Sequence, residues 1–95
     1  MHAAAGVLQR MHEMSLALEL GRQVEEQMRL HPGRLLRVGV QVGEESGVEP
    51  SSLEFCIDAV LAHPPFAGAT VTLERVGGDT LRLEFLEIDD GRPDN

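Results

Sequence analysis

Four histidines, one cysteine and a short acidic cluster are the side chains in this sequence whose types allow ligation, acid–base or nucleophilic chemistry. His31 precedes Pro32, and His63 precedes Pro64-Pro65. Both read as helix-end residues, where an imidazole serves the last free carbonyls, in preference to ligands. Cys56 falls at apolar spacing inside a helical segment and reads as a small core hydrophobe. As the sole cysteine it forms no internal disulfide and no cysteine-rich zinc site. Ser46, in Gly43-Glu44-Glu45-Ser46-Gly47, stands one place too late for a nucleophile elbow, and no motif places a base beside it. Glu44, Glu45 and Glu49 read first as a solvated loop and second as a surface for a basic partner. The remaining candidate is Met11-His12-Glu13-Met14-Ser15-Leu16, which heads the first amphipathic segment.

Composition closes off several functions. The 95 residues make one small domain with a net charge of −8 and a sequence pI near 4.8. That balance argues against a grip on nucleic acid or on an anionic membrane. All eight basic residues are Arg, so Schiff-base chemistry and a P-loop nucleotide site are excluded. With 3% aromatic residues inside 42% hydrophobic, the core must be aliphatic. No stretch approaches the ~18 apolar residues of a membrane span and no secretory signal is visible, so a soluble cytoplasmic protein is expected.

Periodicity sets the helices and strands that carry these residues. Leu16, Leu20, Val24 and Met28 recur every four residues, predicting an amphipathic helix from about Ser15 to Leu30. Glu25 and Arg29 make a favourable i,i+4 pair, and His31-Pro32-Gly33 ends the helix. With Ser15 as N-cap, Met11–Met14 would form an extended lead-in. Leu36, Val38, Val40 and Val42 alternate with polar residues or glycine, which predicts a strand with one buried face. A second helix starts near Pro50 and carries Leu53, Phe55, Cys56, Ile57, Val60 and Leu61. Two alternating segments, 69–76 and 80–88, are joined through Gly77-Gly78-Asp79, a tight-hairpin signal. The expected fold is α+β in the order αβαββ, with two helices packed on one face of a three-stranded mixed sheet. If the first two strands are parallel, the second helix is their crossover. The last strand then lies between them or at an edge.

Met11-His12-Glu13-Met14-Ser15-Leu16 closely resembles the N-terminus of the hydrogenase nickel incorporation proteins of the HypA/HybF family. The likeness continues through Val42-Gly43, Ser46-Gly47-Val48, Leu53-Glu54-Phe55, Gly68-Ala69 and Leu86-Glu87-Ile88-Asp89. It divides the chain into a 1–10 extension, a HypA-like nickel-binding domain at 11–89 and a flexible tail at 90–95. The resemblance implies a nickel metallochaperone, not an enzyme, that assists Ni(II) insertion into the [NiFe]-hydrogenase large-subunit precursor alongside a HypB-type GTPase. It implies Ni(II) ligation by the terminal amine and amide nitrogens with the imidazole, in the nitrogen-rich geometry that suits this ion. Carried over, His12 is the principal ligand and Met11 supplies the amine. Glu13 contributes its amide, with its carboxylate as an outer partner.

Two departures stand out. Members of the family carry a zinc domain with two Cys-x-x-Cys pairs between the last two strands; here Gly77-Gly78-Asp79 stands in its place, so no zinc is expected. Ten residues also precede Met11, and a free amine at the motif is expected only if the chain starts at Met11. Met1-His2 offers a lesser substitute, lacking the glutamate. The competing expectation is a metal-free interaction or assembly protein on the same scaffold.

Overall fold

The computed structural model describes residues 2–93, with side-chain surroundings from His12 onward. Met1, the Met11 side chain, and Asp94 and Asn95 of the tail lie outside the described residues. The elements are α1 (His2–Leu30), β1 (Arg34–Gly43), α2 (Pro50–Leu61), β2 (Thr70–Val76) and β3 (Leu81–Asp89). The αβαββ order and the three-stranded mixed sheet agree with the expectation. No helix among the described residues is long and apolar enough to cross a membrane.

Helix α1 differs from the prediction at its start. It does not begin at Ser15 behind an extended lead-in but runs unbroken from His2, so Met11–Met14 is helical. The upstream stretch is rich in alanine with Leu8, Gln9 and Arg10, all good helix formers, and holds no proline. From Glu13 on, the buried stripe is Glu13, Ala17, Leu20, Gly21 and Val24. On the exposed side Arg22 pairs with Glu19 at 2.7 Å and Glu26 at 3.3 Å, and these bonds replace the expected Glu25–Arg29 pair. Helices α1 and α2 pack closely at Gly21, where an added Cβ would lie 2.8 Å from Val60 Cγ1.

The sheet order is β2-β1-β3, with β1 parallel to β2 and antiparallel to β3. Helix α2 is therefore the parallel crossover between β1 and β2. The hairpin expectation for Gly77-Gly78-Asp79 does not hold. Strands β2 and β3 flank β1, so residues 77–80 arch over the end of β1 to reach its far edge. Two strand spacings are about 9.5 Å, which four extended residues cover. The arch is tied down by main-chain bonds from Gly43 N–H to Thr80 O (2.6 Å), Glu44 N–H to Val76 O (2.9 Å) and Glu45 N–H to Gly78 O (2.8 Å).

Val38, Val40 and Val42 of β1 are buried beneath the helices, with Leu53, Ile57 and Leu61 of α2 above them. Their registered neighbours on β2 and β3 are also apolar, Val40 lying between Leu73 and Leu83. On the opposite face Gln41 donates to Glu74 Oε1 and accepts from Arg82 Nε, both at 2.8 Å. Gly39 has no side chain there because the Phe85 ring lies across it, with the Arg37 guanidinium 5.5 Å from the ring centre. Phe55, expected on the packed face of α2, is instead 74% exposed, since the face is centred on Leu53 and Ile57, two residues away on either side. Phe66, beyond the helix, fills the core in its place.

Candidate metal centre

His12 and Glu13 occupy successive positions of α1 and so point about 100° apart around its axis. His12 is exposed. Glu13 turns into the core and is 1% exposed, the one charged side chain among the buried described residues. The motif thus divides its chemistry between solvent and core.

The site of Glu13 is built by the start of α2. Glu49 is the N-cap, with extended backbone angles (φ −83°, ψ 115°), and Pro50 follows in the first turn, where its missing N–H costs nothing. The Glu49 carboxylate accepts from the Ser52 N–H at 2.6 Å, and that bond holds its carboxyl below the usual value. The Glu49 N–H, turned toward α1, donates to Glu13 Oε2 at 3.1 Å. The helix end favours the negative charge it receives. Glu13 Oε1 is buried and has no hydrogen-bond partner among the described residues. Nearby, burial pushes the Cys56 thiol up, and the Glu13 charge adds to that. The loop before α2 is set by Ser46, whose hydroxyl donates to Gly43 O (2.7 Å) and accepts from the Val48 N–H (3.2 Å). Ser46 is therefore a turn residue.

Among the described residues no hydrogen bond joins the Glu13 carboxylate to the His12 imidazole; its partner is the Glu49 N–H. Among the described residues no three His, Cys, Asp or Glu side chains are grouped to hold a metal ion. A metal at His12 would therefore take its other donors from the main chain. Amide nitrogens bind Ni(II) tightly only when deprotonated, and one that donates to a helical carbonyl cannot do so. With helix preceding the motif from His2, continuous helix through Met11–Glu13 and a main-chain chelate are thus mutually exclusive, whereas at a helix that began at Met11 these N–H groups would have no helical partner. His31 and His63 sit at the ends of α1 and α2, with N–H groups donating to Gln27 O (2.9 Å) and Val60 O (3.3 Å), as helix-end residues do.

Sequence reasoning missed the Glu13–Glu49 link. The available signal was an acidic residue before a proline with Ser52 three places on, which marks an N-cap even though Glu is not a favoured capping residue.

Comparison with known proteins bears on this arrangement. The family described as "Hydrogenase/urease nickel incorporation, metallochaperone, hypA" matches residues 11–81. The hydrogenase maturation factor HypA of Chlorobium limicola is 39% identical over 67 residues, covering 70% of this chain and 58% of that protein. That of Azoarcus sp. is 42% identical over 69 residues, covering 72% of this chain and 60% of that protein. That of Paracoccus denitrificans is 34% identical over 84 residues, covering 84% and 74%. The chain thus spans 58% and 60% of the first two relatives' own length.

Proposed function

The chain belongs to the HypA family of hydrogenase maturation factors, and from that premise we propose that it carries Ni(II) to the large-subunit precursor of a [NiFe]-hydrogenase. His12 is the principal ligand; the nitrogens of Met11 and Glu13 complete the chelate when that stretch is free of helix. The observation carrying this reading is the solvent-exposed imidazole of His12 beside a main chain fixed in place at Glu13. An exposed, few-donor site suits a carrier, because a recipient's ligands can replace its own one at a time. The protein acts as a carrier in the cytoplasm, not as an enzyme, with a HypB-type GTPase supplying the energy-driven step. Its own cysteine offers no zinc site: Cys56 is single and buried, and the short arch over β1 stands where the family's zinc domain would be, so we read the chain as zinc-free.

The test is calorimetric titration of Ni(II) into the full 95-residue chain and, in parallel, the chain beginning at Met11. Among the described residues the buried core spans Glu13 to Phe66. Binding near one equivalent is expected in the Met11 form. His12→Ala should abolish it with thermal stability changed by no more than about 0.5 kcal/mol, as for an exposed side chain. Unchanged nickel affinity in that variant would remove His12 from the site. The rival reading, a metal-free assembly protein, is favoured by one observation: α1 runs through the motif and occupies its amide nitrogens in the helix. It predicts a complex with the precursor or the GTPase that forms equally well in chelator.

A further inference from the structure

Strand β3 is an edge of the sheet, paired with β1 on one side only. Among the described residues no main-chain bond from a loop or helix reaches Leu81–Asp89. An uncovered row of N–H and C=O groups is a template for a further strand. Helix α1 leaves this edge open, and a groove of about 1170 Å³ lies between its C-terminal half and Leu83, Leu86 and Ile88. What fits there is dictated by a break in phase. Gly39 of β1 faces Phe85 and Val40 faces Leu83, so Glu84 is a bulge residue with no partner on β1. The bulge reverses the alternation: Leu81 and Leu83 before it and Leu86 and Ile88 after it are all half-buried against the core. Arg82, Glu84, Phe85 and Glu87 are exposed. A regular strand laid along this edge matches one half and is out of phase with the other. A strand with the same break in the same place matches both. Strand β3 is such a strand, because from Leu81 to Ile88 its pattern of burial reads the same in both directions.

We propose that the open edge of β3 is a self-association surface, on which a second copy of the chain pairs its own β3 antiparallel about a two-fold axis between Glu84 and Phe85. In that register Leu81 lies opposite the partner's Ile88, Leu83 opposite the partner's Leu86 and Arg82 opposite the partner's Glu87, each pair occurring twice. Apolar meets apolar beneath the helices and opposite charges meet on the far face, the combinations that stabilise cross-strand neighbours. Within one chain Arg82 reaches Gln41 through Nε and Glu87 reaches Arg37 through Oε1, which leaves the Arg82 Nη groups and Glu87 Oε2 to meet across the seam. The sheet then runs β2-β1-β3 and on through the second copy's β3-β1-β2, with both pairs of helices on one face. Each copy uses its only β3 edge, so this pairing ends at a dimer. One strand pair is a small interface and each chain carries a charge of −8, so the dimer is weak and forms with rising concentration. It needs no metal and is independent of the nickel reading.

The test is sedimentation equilibrium of the full 95-residue chain without metal, from about 10 µM to about 1 mM, where a monomer–dimer equilibrium is expected. Arg82→Glu sets two pairs of negative charges across the seam, and Glu87→Arg sets two pairs of positive ones. Each alone should weaken the dimer by about tenfold. Mixed in equal amounts, the two variants should pair with each other as tightly as the parent does, since every facing pair is again of opposite sign. Both positions are exposed, and melting curves check that each variant is folded. In the parent itself, amide exchange along Leu81–Ile88 should slow as concentration rises while that of β2 stays constant. A parent that is monomeric throughout overturns the proposal, as does equal exchange behaviour at the two edges. A dimer that both variants leave unchanged places the contact elsewhere, and a mixture that stays monomeric refutes the register. Species growing beyond two copies would mean pairing through β2 and would overturn it as well.

Discussion

Replacing Gly43 with alanine tests how the chain crosses the end of its central strand. Gly43 ends β1, and its φ is not positive, so alanine meets no backbone penalty there. The cost is contact. An added Cβ would overlap the carbonyl oxygen of Gly78 and lie 2.7 Å from the amide nitrogen of Thr80, against about 3.3–3.6 Å for an ordinary carbon–oxygen approach. Both neighbours are main chain, so no rotamer change relieves them. The arch must lift, and lifting it stretches the bonds from Gly43, Glu44 and Glu45 that hold it down. Losing one or two of them at about 1 kcal/mol each, with about 1 kcal/mol of residual overpacking, gives a loss of about 2–3 kcal/mol. For a domain of this size that lowers Tm by about 10–20 °C. Circular dichroism melts and urea titrations of Gly43→Ala measure it. Gly77→Ala is the control within the same arch, because nothing lies within 4 Å of a Cβ there and φ is not positive. It should stay within about 0.5 kcal/mol of the parent. A hairpin joining adjacent β2 and β3 would leave the end of β1 open, and Gly43→Ala would then melt like the control. That result would refute the crossing.

Two further expectations concern protons. The Ser52 N–H holds the Glu49 carboxyl below its ordinary 4.5, and Arg22 holds that of Glu19 down to about 2. A folded value below the unfolded one adds stability that is fully present above pH 4.5 and fades as pH falls through the folded value. Tm should therefore decline on acidification below that point, and Glu49→Gln should flatten the decline while lowering Tm at neutral pH; parallel acid limbs would rule out the cap. The Cys56 thiol is pushed up by burial first and by the Glu13 charge second. At about pH 8 a disulfide reagent should modify the native chain about a hundredfold more slowly than the urea-unfolded chain, with Glu13→Gln changing the native rate little. Equal rates in native and unfolded chain would place Cys56 outside the core.

Much of the fold was legible because burial repeats along the chain. Val38, Val40 and Val42 alternate and all face the helices; Leu20 and Val24 recur at helical spacing and both enter the core. Pro50 marked the start of α2, and the motif from Met11 to Leu16 pointed to the family that the comparison supports. Phe55 shows the limit of periodicity: an aromatic within an apolar helical run reads as core, yet it lies just off the packed arc. The Gly77-Gly78-Asp79 turn shows another. Its chemistry suits a hairpin and equally an arch over a third strand, and only the position of β1 distinguishes them.

The element order, the aliphatic core, the exclusion of lysine and cysteine-pair chemistry, and the candidate triplet Met11, His12 and Glu13 were all readable from the residues alone. Each of these is a property of residue type or of neighbours within a few positions. Tertiary structure alone decided that β1 is central, that α1 and α2 approach at Gly21, and that Glu13 turns inward to Glu49 while His12 stays in solvent. The reason is physical: which strand fills the middle of a sheet, and which N–H a buried carboxylate meets, depend on segments far apart in sequence that become neighbours only when the whole core closes.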